Sequence, residues 1–377
     1  MKIVVAIDSF KGSLSSIEAG QAIVSGIKRV DKNIDVSVFP LADGGEGTVE
    51  ALITSMQGQM VSLKVTGPLG DQIDSQYGII PASKLAVIEM ASSSGITLLK
   101  PDQLNPLYTT TYGLGEMIKD AIKKGCRNFI IGIGGSATND GGIGMLQALG
   151  FDLLDQAGNP VTFGAIGLKD LKSIDDRNVL PLLKECHFNI ACDVTNVLCG
   201  KNGCSAVFGP QKGADKKMIE LMDKWLANYS LIAKNKFPMS DANYPGTGAA
   251  GGLGFAFLTF TNARLESGIS LVLKTIGIEK ELAACDLVIT GEGRLDKQTA
   301  MGKAPVGVAK LAKKYGKPVI ALAGSVSPDA RACNEHGIDA YFPIIRKITT
   351  LQEAMDKENA KNNLMDTVEQ IIRLWKL

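Results

Sequence analysis

Short apolar runs recur along the chain, and each of them stops at a glycine or an aspartate. Runs such as residues 3–7 and 129–133 are continuous in apolar character, which is typical of strands buried on both faces of a parallel sheet. Helical periodicity separates many of these runs. In segment 15–30, for example, Ser15 and Glu18 form a capping-box pattern ahead of apolar residues at helical spacing. The pattern therefore predicts an α/β fold.

The middle of the chain departs from this alternation. Residues 61–91 contain apolar runs separated by turn residues and no helical segment, which predicts neighbouring antiparallel strands. Alternation of strands and helices resumes from about residue 276. A length of 377 residues favours two domains. We therefore expect two α/β domains: a Rossmann-like domain with a mainly parallel sheet from residues 1–64 and 270–377, and an inserted domain with a mixed sheet from residues 65–269.

Composition narrows the classes of partner. Forty Lys and Arg residues face 39 Asp and Glu residues, so no broad charged surface is available for nucleic acid or an anionic membrane. No apolar stretch reaches the roughly 18 residues that a membrane span requires, and Asp8 interrupts the first apolar run too early for a signal peptide. Seven cysteines without a CxxC pair favour reduced thiols. We expect a cytoplasmic protein.

Polar residues follow the first two predicted strands, at the ends where α/β sheets bind ligands. After the first strand, Asp8, Ser9 and Lys11 offer a cation and a hydroxyl for a phosphate; an Asp turn followed by a helix cap is the alternative. After the second, Asp43 and Glu46 lie on a Gly-rich turn. A sparse pair of carboxylates suits Mg²⁺ that also binds phosphate, and a common Asp-Gly-Gly turn is the alternative.

The segment 132–142 combines five glycines with polar side chains between an apolar run and a helical run. Glycines allow backbone N–H groups to converge on an anion, and the dipole of the following helix adds partial positive charge. We therefore predict that this segment binds phosphate or substrate. The candidate contacts are Gly134, Gly135, Ser136, Asn139 and Asp140.

Two later segments add candidate residues. Asp193 and Asn196 follow the apolar run 188–191, where an aspartate can accept the proton of an attacking hydroxyl or form an Asx turn. The segment 291–303 mixes acids suited to a metal with bases suited to phosphate or carboxylate, namely Glu292, Arg294, Asp296 and Lys303. The planar guanidinium of Arg294 can bond both oxygens of a substrate carboxylate.

Several motifs are missing, and their absence limits the alternatives. The chain has no GxxxxGK[ST] sequence and no HRD or DFG motif. Residues 246–251 match GxGxxG, yet they follow a polar segment instead of a strand, which disfavours a dinucleotide fingerprint. An NAD(P)-dependent oxidoreductase of a small hydroxy acid is nevertheless the main alternative to a kinase. A non-catalytic sugar-acid binding protein is the second alternative.

Five segments together resemble the bacterial glycerate kinases. They are DSFKGSLSS from Asp8, ADGGEGT from Ala42, GIGGSATNDGG from Gly132, VFGPQKGA from Val207 and LVITGEGRLDKQT from Leu287. The resemblance runs from near residue 1 to the carboxyl-terminal helix. It departs from the family pattern after Asp193, where Val197, Lys201 and Cys204 replace Pro, Pro and Ala.

The resemblance implies transfer of the γ-phosphate of ATP to D-glycerate with Mg²⁺. The 2-hydroxyl is the favoured acceptor and the 3-hydroxyl is the alternative. For such a transfer, our hypothesis has Asp193 as general base, with Lys11 and the amides of residues 134–136 on the transferred phosphate. Asp43 and Asp296 are then expected near Mg²⁺, and Arg294 on the glycerate carboxylate. The expected partners are these two small substrates and, through one apolar patch, a second copy of the chain.

Overall fold

A computed structural model describes all residues from 1 to 377. The strands are Lys2–Ile7 (β1), Asp35–Pro40 (β2), Gln59–Thr66 (β3), Gln72–Ile80 (β4), Leu85–Glu89 (β5), Asn128–Gly132 (β6), Asp152–Leu154 (β7), Ser173–Asp175 (β8), His187–Ala191 (β9), Ala263–Glu266 (β10), Leu287–Leu295 (β11), Val319–Val326 (β12) and Ala340–Pro343 (β13). The α-helices are Ser16–Val30 (α1), Thr48–Met56 (α2), Ala91–Ser94 (α3), Tyr112–Lys123 (α4), Ile143–Ala148 (α5), Ala165–Asp170 (α6), Cys204–Phe208 (α7), Lys216–Lys236 (α8), Ala249–Phe260 (α9), Gly268–Ile276 (α10), Glu279–Ala284 (α11), Lys297–Ala300 (α12), Ala304–Lys313 (α13), Ala332–Glu335 (α14), Leu351–Met355 (α15) and Lys357–Trp375 (α16).

The chain divides into two compact units, each with its own sheet and core. Unit 1 consists of Met1–Asp43, Glu50–Met56 and Ile269–Leu377, and unit 2 of Gly44–Val49 and Gln57–Gly268. The boundary predicted between residues 64 and 65 falls inside β3, which pairs with β4 along its whole length. Because a strand that is fully paired with its neighbour belongs to one sheet, β3 lies in unit 2.

Unit 1 contains a wholly parallel sheet in the order β13-β12-β11-β1-β2. The side chains of β1 from Ile3 to Ile7 are fully buried, as expected for a strand covered on both faces. α1 begins with the predicted capping box of Ser15 and Glu18 and shares a core with α16. The predicted α/β class, with a parallel sheet in this part of the chain, is confirmed.

Unit 2 contains a mixed sheet in the order β10-β9-β6-β5-β4-β3. β3, β4 and β5 pair in antiparallel fashion, whereas β5, β6, β9 and β10 are parallel neighbours. The predicted antiparallel strands in 61–91 and the mixed sheet are therefore confirmed. β7 and β8 form a separate hairpin-like pair. None of the helices combines the length and the apolar character needed to cross a membrane.

Candidate active site

In unit 1, the predicted polar residues meet at the carboxyl edge of the parallel sheet. A cavity of about 330 Å³ lies there. Its polar lining includes Asp8, Ser9, Lys11, Asp43, Glu292, Arg294, Asp296 and Lys303. Its apolar lining includes Phe10, Ile344, Ile345, Leu351, Met355 and Ala360. The cavity therefore offers both apolar surface and charged groups to a ligand.

Close backbone approaches bring these strand ends together. The N–H of Asp8 donates to the carbonyl of Gly291 at 3.0 Å, which joins the end of β1 to β11. A Cβ atom at Gly293 would lie 3.3 Å from the backbone nitrogen of Lys11, and one at Gly324 would lie 2.7 Å from the carbonyl oxygen of Gly293. Both positions therefore favour glycine, because a side chain there would push the loops apart.

Two buried carboxyl groups give the cavity a strongly perturbed electrostatic environment. Asp8 is 5% exposed, and its burial, together with the charge of Asp43, raises the pKa of its carboxyl to about 7, although the Ser9 N–H donates to it at 2.6 Å. Burial also raises the pKa of Glu292, which accepts a hydrogen bond from the Thr299 hydroxyl at 2.6 Å. Acids that resist ionisation in this way favour a cation beside them.

Asp296 is the N-cap residue of α12. Its Oδ1 atom accepts hydrogen bonds from the N–H groups of Gln298 at 2.8 Å and Thr299 at 3.3 Å, and so caps α12. Its Oδ2 atom lies 3.7 Å from Nε of Arg294, whose side chain is 67% exposed. One oxygen of Asp296 and the guanidinium of Arg294 therefore remain accessible to a ligand.

The acids of unit 1 suit a magnesium ion that completes its shell with phosphate oxygens. No group of three or more His, Cys, Asp or Glu side chains is arranged in the chain to hold a metal by itself. Mg²⁺, however, is usually bound by one or two carboxylates together with substrate phosphates and water. After burial, the negative charge of Asp43 contributes to the raised pKa of both Asp8 and Glu292, and such repulsion between acids fits a cation among them.

In unit 2, the Gly-rich loop after β6 presents unpaired backbone donors. Gly134 and Gly135 are exposed, and the N–H groups of Gly134, Gly135 and Ser136 donate to no group of the protein. Two bonds hold the loop in place: the Ile96 N–H donates to Gly135 at 2.8 Å, and the Ala137 N–H donates to Ser94 at 2.9 Å. Successive free N–H groups in a fixed loop form a concave site for an anion.

Asn139 and Asp140 lie beneath this loop and are fully buried. The carboxylate of Asp140 accepts from the N–H and the hydroxyl of Thr111 at 3.0 and 2.8 Å, and from the Gly142 N–H at 3.0 Å. Asn139 donates to the Ser205 hydroxyl at 2.8 Å. The prediction that these two side chains contact phosphate or substrate does not fit their burial; their contacts shape the loop instead.

The remaining candidates of unit 2 lie nearer the surface. Asp193 is exposed after β9, the neighbour of β6, and its Oδ1 atom accepts from the Gly268 N–H at 3.2 Å. Asn196 donates to the carbonyl of Asn202 at 3.0 Å. Glu46 is exposed and belongs to unit 2, whereas Asp43 and Asp296 belong to unit 1.

Sequence reasoning did not select two charged residues of unit 2, one buried and one partly buried. Lys212, in the 3₁₀ turn Pro210–Lys212, is 1% exposed and contacts the Gly-rich loop. Glu89 ends β5, and its carboxylate accepts from the Val49 N–H at 2.9 Å; burial raises its pKa. Glu89 could have been found by the same strand-end rule that selected Asp193. Lys212 had no local signal beyond its place in the VFGPQKGA segment.

The GxGxxG match serves the packing of unit 2. Gly251 and Gly252 have left-handed backbone conformations, with φ of 69° and 93°. The carbonyl of Gly251 accepts from the Gly141 N–H at 2.9 Å, and a Cβ atom at Gly252 would lie 2.8 Å from Cα of Gly141. These glycines therefore allow close backbone contact beneath the Gly-rich loop. They lie in the first turn of α9, which follows no strand directly.

Comparisons with known proteins agree on one family. The sequence profile of the glycerate kinase family matches residues 3–376. A glycerate 2-kinase of Escherichia coli K12 is 49% identical over 354 residues, which cover 94% of this chain and 93% of the relative. A glycerate kinase of Bacillus subtilis 168 is 46% identical over 377 residues, covering 100% and 98%. A crystal structure from Salmonella typhimurium LT2, whose protein is assigned as a glycerate kinase 2, has a TM-score of 0.92 and 47% identity, covering 100% of this chain and 98% of that one.

Proposed function

The chain belongs to the glycerate kinase family, and we propose that it transfers the γ-phosphate of ATP to the 2-hydroxyl of D-glycerate. The choice of the 2-hydroxyl is supported by the similarity to the glycerate 2-kinase of Escherichia coli. The observation that carries the proposal is the cavity of unit 1, where apolar residues and charged residues share one site at the carboxyl edge of a parallel sheet.

In this proposal, the cavity of unit 1 takes the nucleotide. Phe10, Ile344 and Met355 offer apolar surface to the adenine base. Lys11 and Lys303 offer ammonium groups to the phosphates. Asp43 and Asp296 would hold Mg²⁺ through carboxylate oxygens, and the ion would neutralise charge on the phosphates. Glu46 stays a prediction as a further ligand.

The proposed chemistry is a direct displacement. The glycerate hydroxyl oxygen forms a bond to the γ-phosphorus, the bond between that phosphorus and the bridging oxygen breaks, and ADP leaves. Asp193 accepts the hydroxyl proton, which an exposed carboxylate at a strand end can do. The free amides of Gly134, Gly135 and Ser136 donate to the oxygens of the transferred phosphoryl group. Arg294 is assigned to the glycerate carboxylate, because its side chain is exposed and planar.

The test is release of ADP from ATP and Mg²⁺ with purified protein, separately with D-glycerate, with L-glycerate and without acid. We expect turnover only with D-glycerate. Phosphorus NMR of the product should show the phosphate on the 2-oxygen; a 3-phosphate would overturn the regiochemistry, and absence of acid-dependent ADP would overturn the kinase. Titration with reduced nicotinamide cofactor, followed by its fluorescence, tests the oxidoreductase alternative. A cytoplasmic location and pairing of two copies stay predictions.

A further inference from the structure

Lys212 is a buried cation beneath the Gly-rich loop of unit 2. It is 1% exposed, and no carboxylate forms an ion pair with it. Its Nζ atom donates to the hydroxyl oxygen of Ser136 at 2.7 Å and to the carbonyl oxygen of Thr138 at 2.5 Å. A buried ammonium without an ionic partner is unfavourable for folding. The charge of Lys212 is therefore directed at the loop and at whatever the loop binds.

The bond from Lys212 determines which way the Ser136 hydroxyl points. An ammonium group can only donate, so the oxygen of Ser136 must accept, and its own proton is free to point elsewhere. That hydroxyl donates to no group of the protein. It lies next to the exposed Gly134 and Gly135, whose N–H groups are also unpaired. A hydroxyl that accepts from a cation becomes a stronger donor.

We propose that Lys212 is a positioning residue, which fixes the Ser136 hydroxyl as a donor beside the three free amides so that the loop binds the phosphoryl group during transfer. The identity of the anion rests on the proposed function, whereas the geometry of the loop does not. Lys212 also donates to the carbonyl oxygen of Thr138. The same ammonium group therefore holds the loop at two points, Ser136 and Thr138.

The proposed positioning of the Ser136 hydroxyl requires Lys212 to be protonated. Burial lowers the pKa of Lys212 to about 8, and Cys204 on α7 and Asp140 before α5 oppose this shift only when they are ionised. Tyr229 on α8 faces the same Asp140. Burial raises the pKa of Cys204 to about 11, so its thiol is uncharged where Lys212 titrates. Above about pH 8 the neutral amine can accept from Ser136, which turns the hydroxyl proton inward and removes it from the anion.

The test replaces Lys212 by methionine, which is similar in shape and has no charge. We expect kcat/KM to fall by about 10²-fold, as for loss of a donor in an oxyanion site. The melting temperature should not fall, because an apolar replacement of a buried charge is often neutral or stabilising. The loss of activity above about pH 8 in the wild type should disappear. Lys216→Met, at the exposed start of α8, is the matched control and should keep both activity and pH profile.

Binding of inorganic phosphate, followed by phosphorus NMR, separates this inference from the proposed function. Lys212-dependent phosphate binding in a protein without kinase activity would support the inference and overturn the function. Unchanged kcat/KM in folded Lys212→Met would overturn the inference. If Lys212→Met does not fold, Ser136→Ala takes its place. This variant should bind phosphate more weakly, and its activity should not fall above about pH 8. A fall in its activity above pH 8 equal to that of the wild type would also overturn the inference.

Discussion

Replacing Asp8 by asparagine should stabilise the protein at neutral and alkaline pH. Asp8 is 5% exposed, and burial together with the charge of Asp43 raises its pKa from 3.8 to about 7. Because the folded protein holds this proton more tightly than the unfolded chain does, the stability of the wild type falls as the pH rises from about 4 to about 7. A tenfold change in proton affinity corresponds to ~1.4 kcal/mol, so the free energy of unfolding loses about 4 kcal/mol above pH 7.

Urea unfolding of the wild type and Asp8→Asn, with EDTA to remove divalent cations, measures this effect. The advantage of the variant should be under ~1 kcal/mol near pH 4 and about 4 kcal/mol near pH 8. Asp102→Asn, at an exposed position in the turn Pro101–Gln103, is the control and should show no such trend. Turnover by Asp8→Asn should be lower than in the wild type, since stabilising a strained site often lowers activity. A stability difference that does not grow with pH would refute the reasoning.

Three further substitutions test the assigned roles. Asp193→Asn should lower kcat by about 10²–10⁴-fold with little change in KM, because only the proton acceptor is lost; wild-type turnover and pH dependence would rule out this base. Arg294→Lys should raise KM for glycerate about tenfold or more and leave KM for ATP unchanged, since the two-point contact with a carboxylate is lost; equal changes for both substrates would contradict the assignment. Gly293→Ala, whose Cβ atom would lie 3.3 Å from the Lys11 nitrogen, should lower kcat/KM by about tenfold through displacement of that loop, and unchanged kinetics would show that the loop can yield.

Most of the unit 1 site could be predicted from the ends of apolar runs. Asp8 and Asp43 follow parallel strands and Glu292 lies in the second half of another, and neighbouring parallel strands end at the same edge of a sheet. The capping box of Ser15 and Glu18 was equally visible, because it depends on residues three apart in one helix. These features are local, or follow from a single rule of sheet topology.

The interior of unit 2 could not be predicted in this way. Asn139 and Asp140 have the sequence context of a binding loop, yet both are fully buried, because α7 and the turn before α4 supply their hydrogen-bond partners from distant parts of the chain. Lys212 has the sequence context of an ordinary exposed lysine, yet it contacts Ser136, which is 76 residues away. Burial of a polar side chain is decided by such long-range packing, and a local pattern does not contain it.

By itself, the sequence determined the α/β class, the antiparallel start of the mixed sheet and the loops that end its strands, because hydrophobic period and turn residues act over a few positions. Tertiary structure alone decided which charges line the cavity of unit 1 and which lie in the core. It raises the pKa of Asp8 and buries the ammonium of Lys212, because proton affinity and desolvation depend on every group packed around an atom, whatever its distance along the chain.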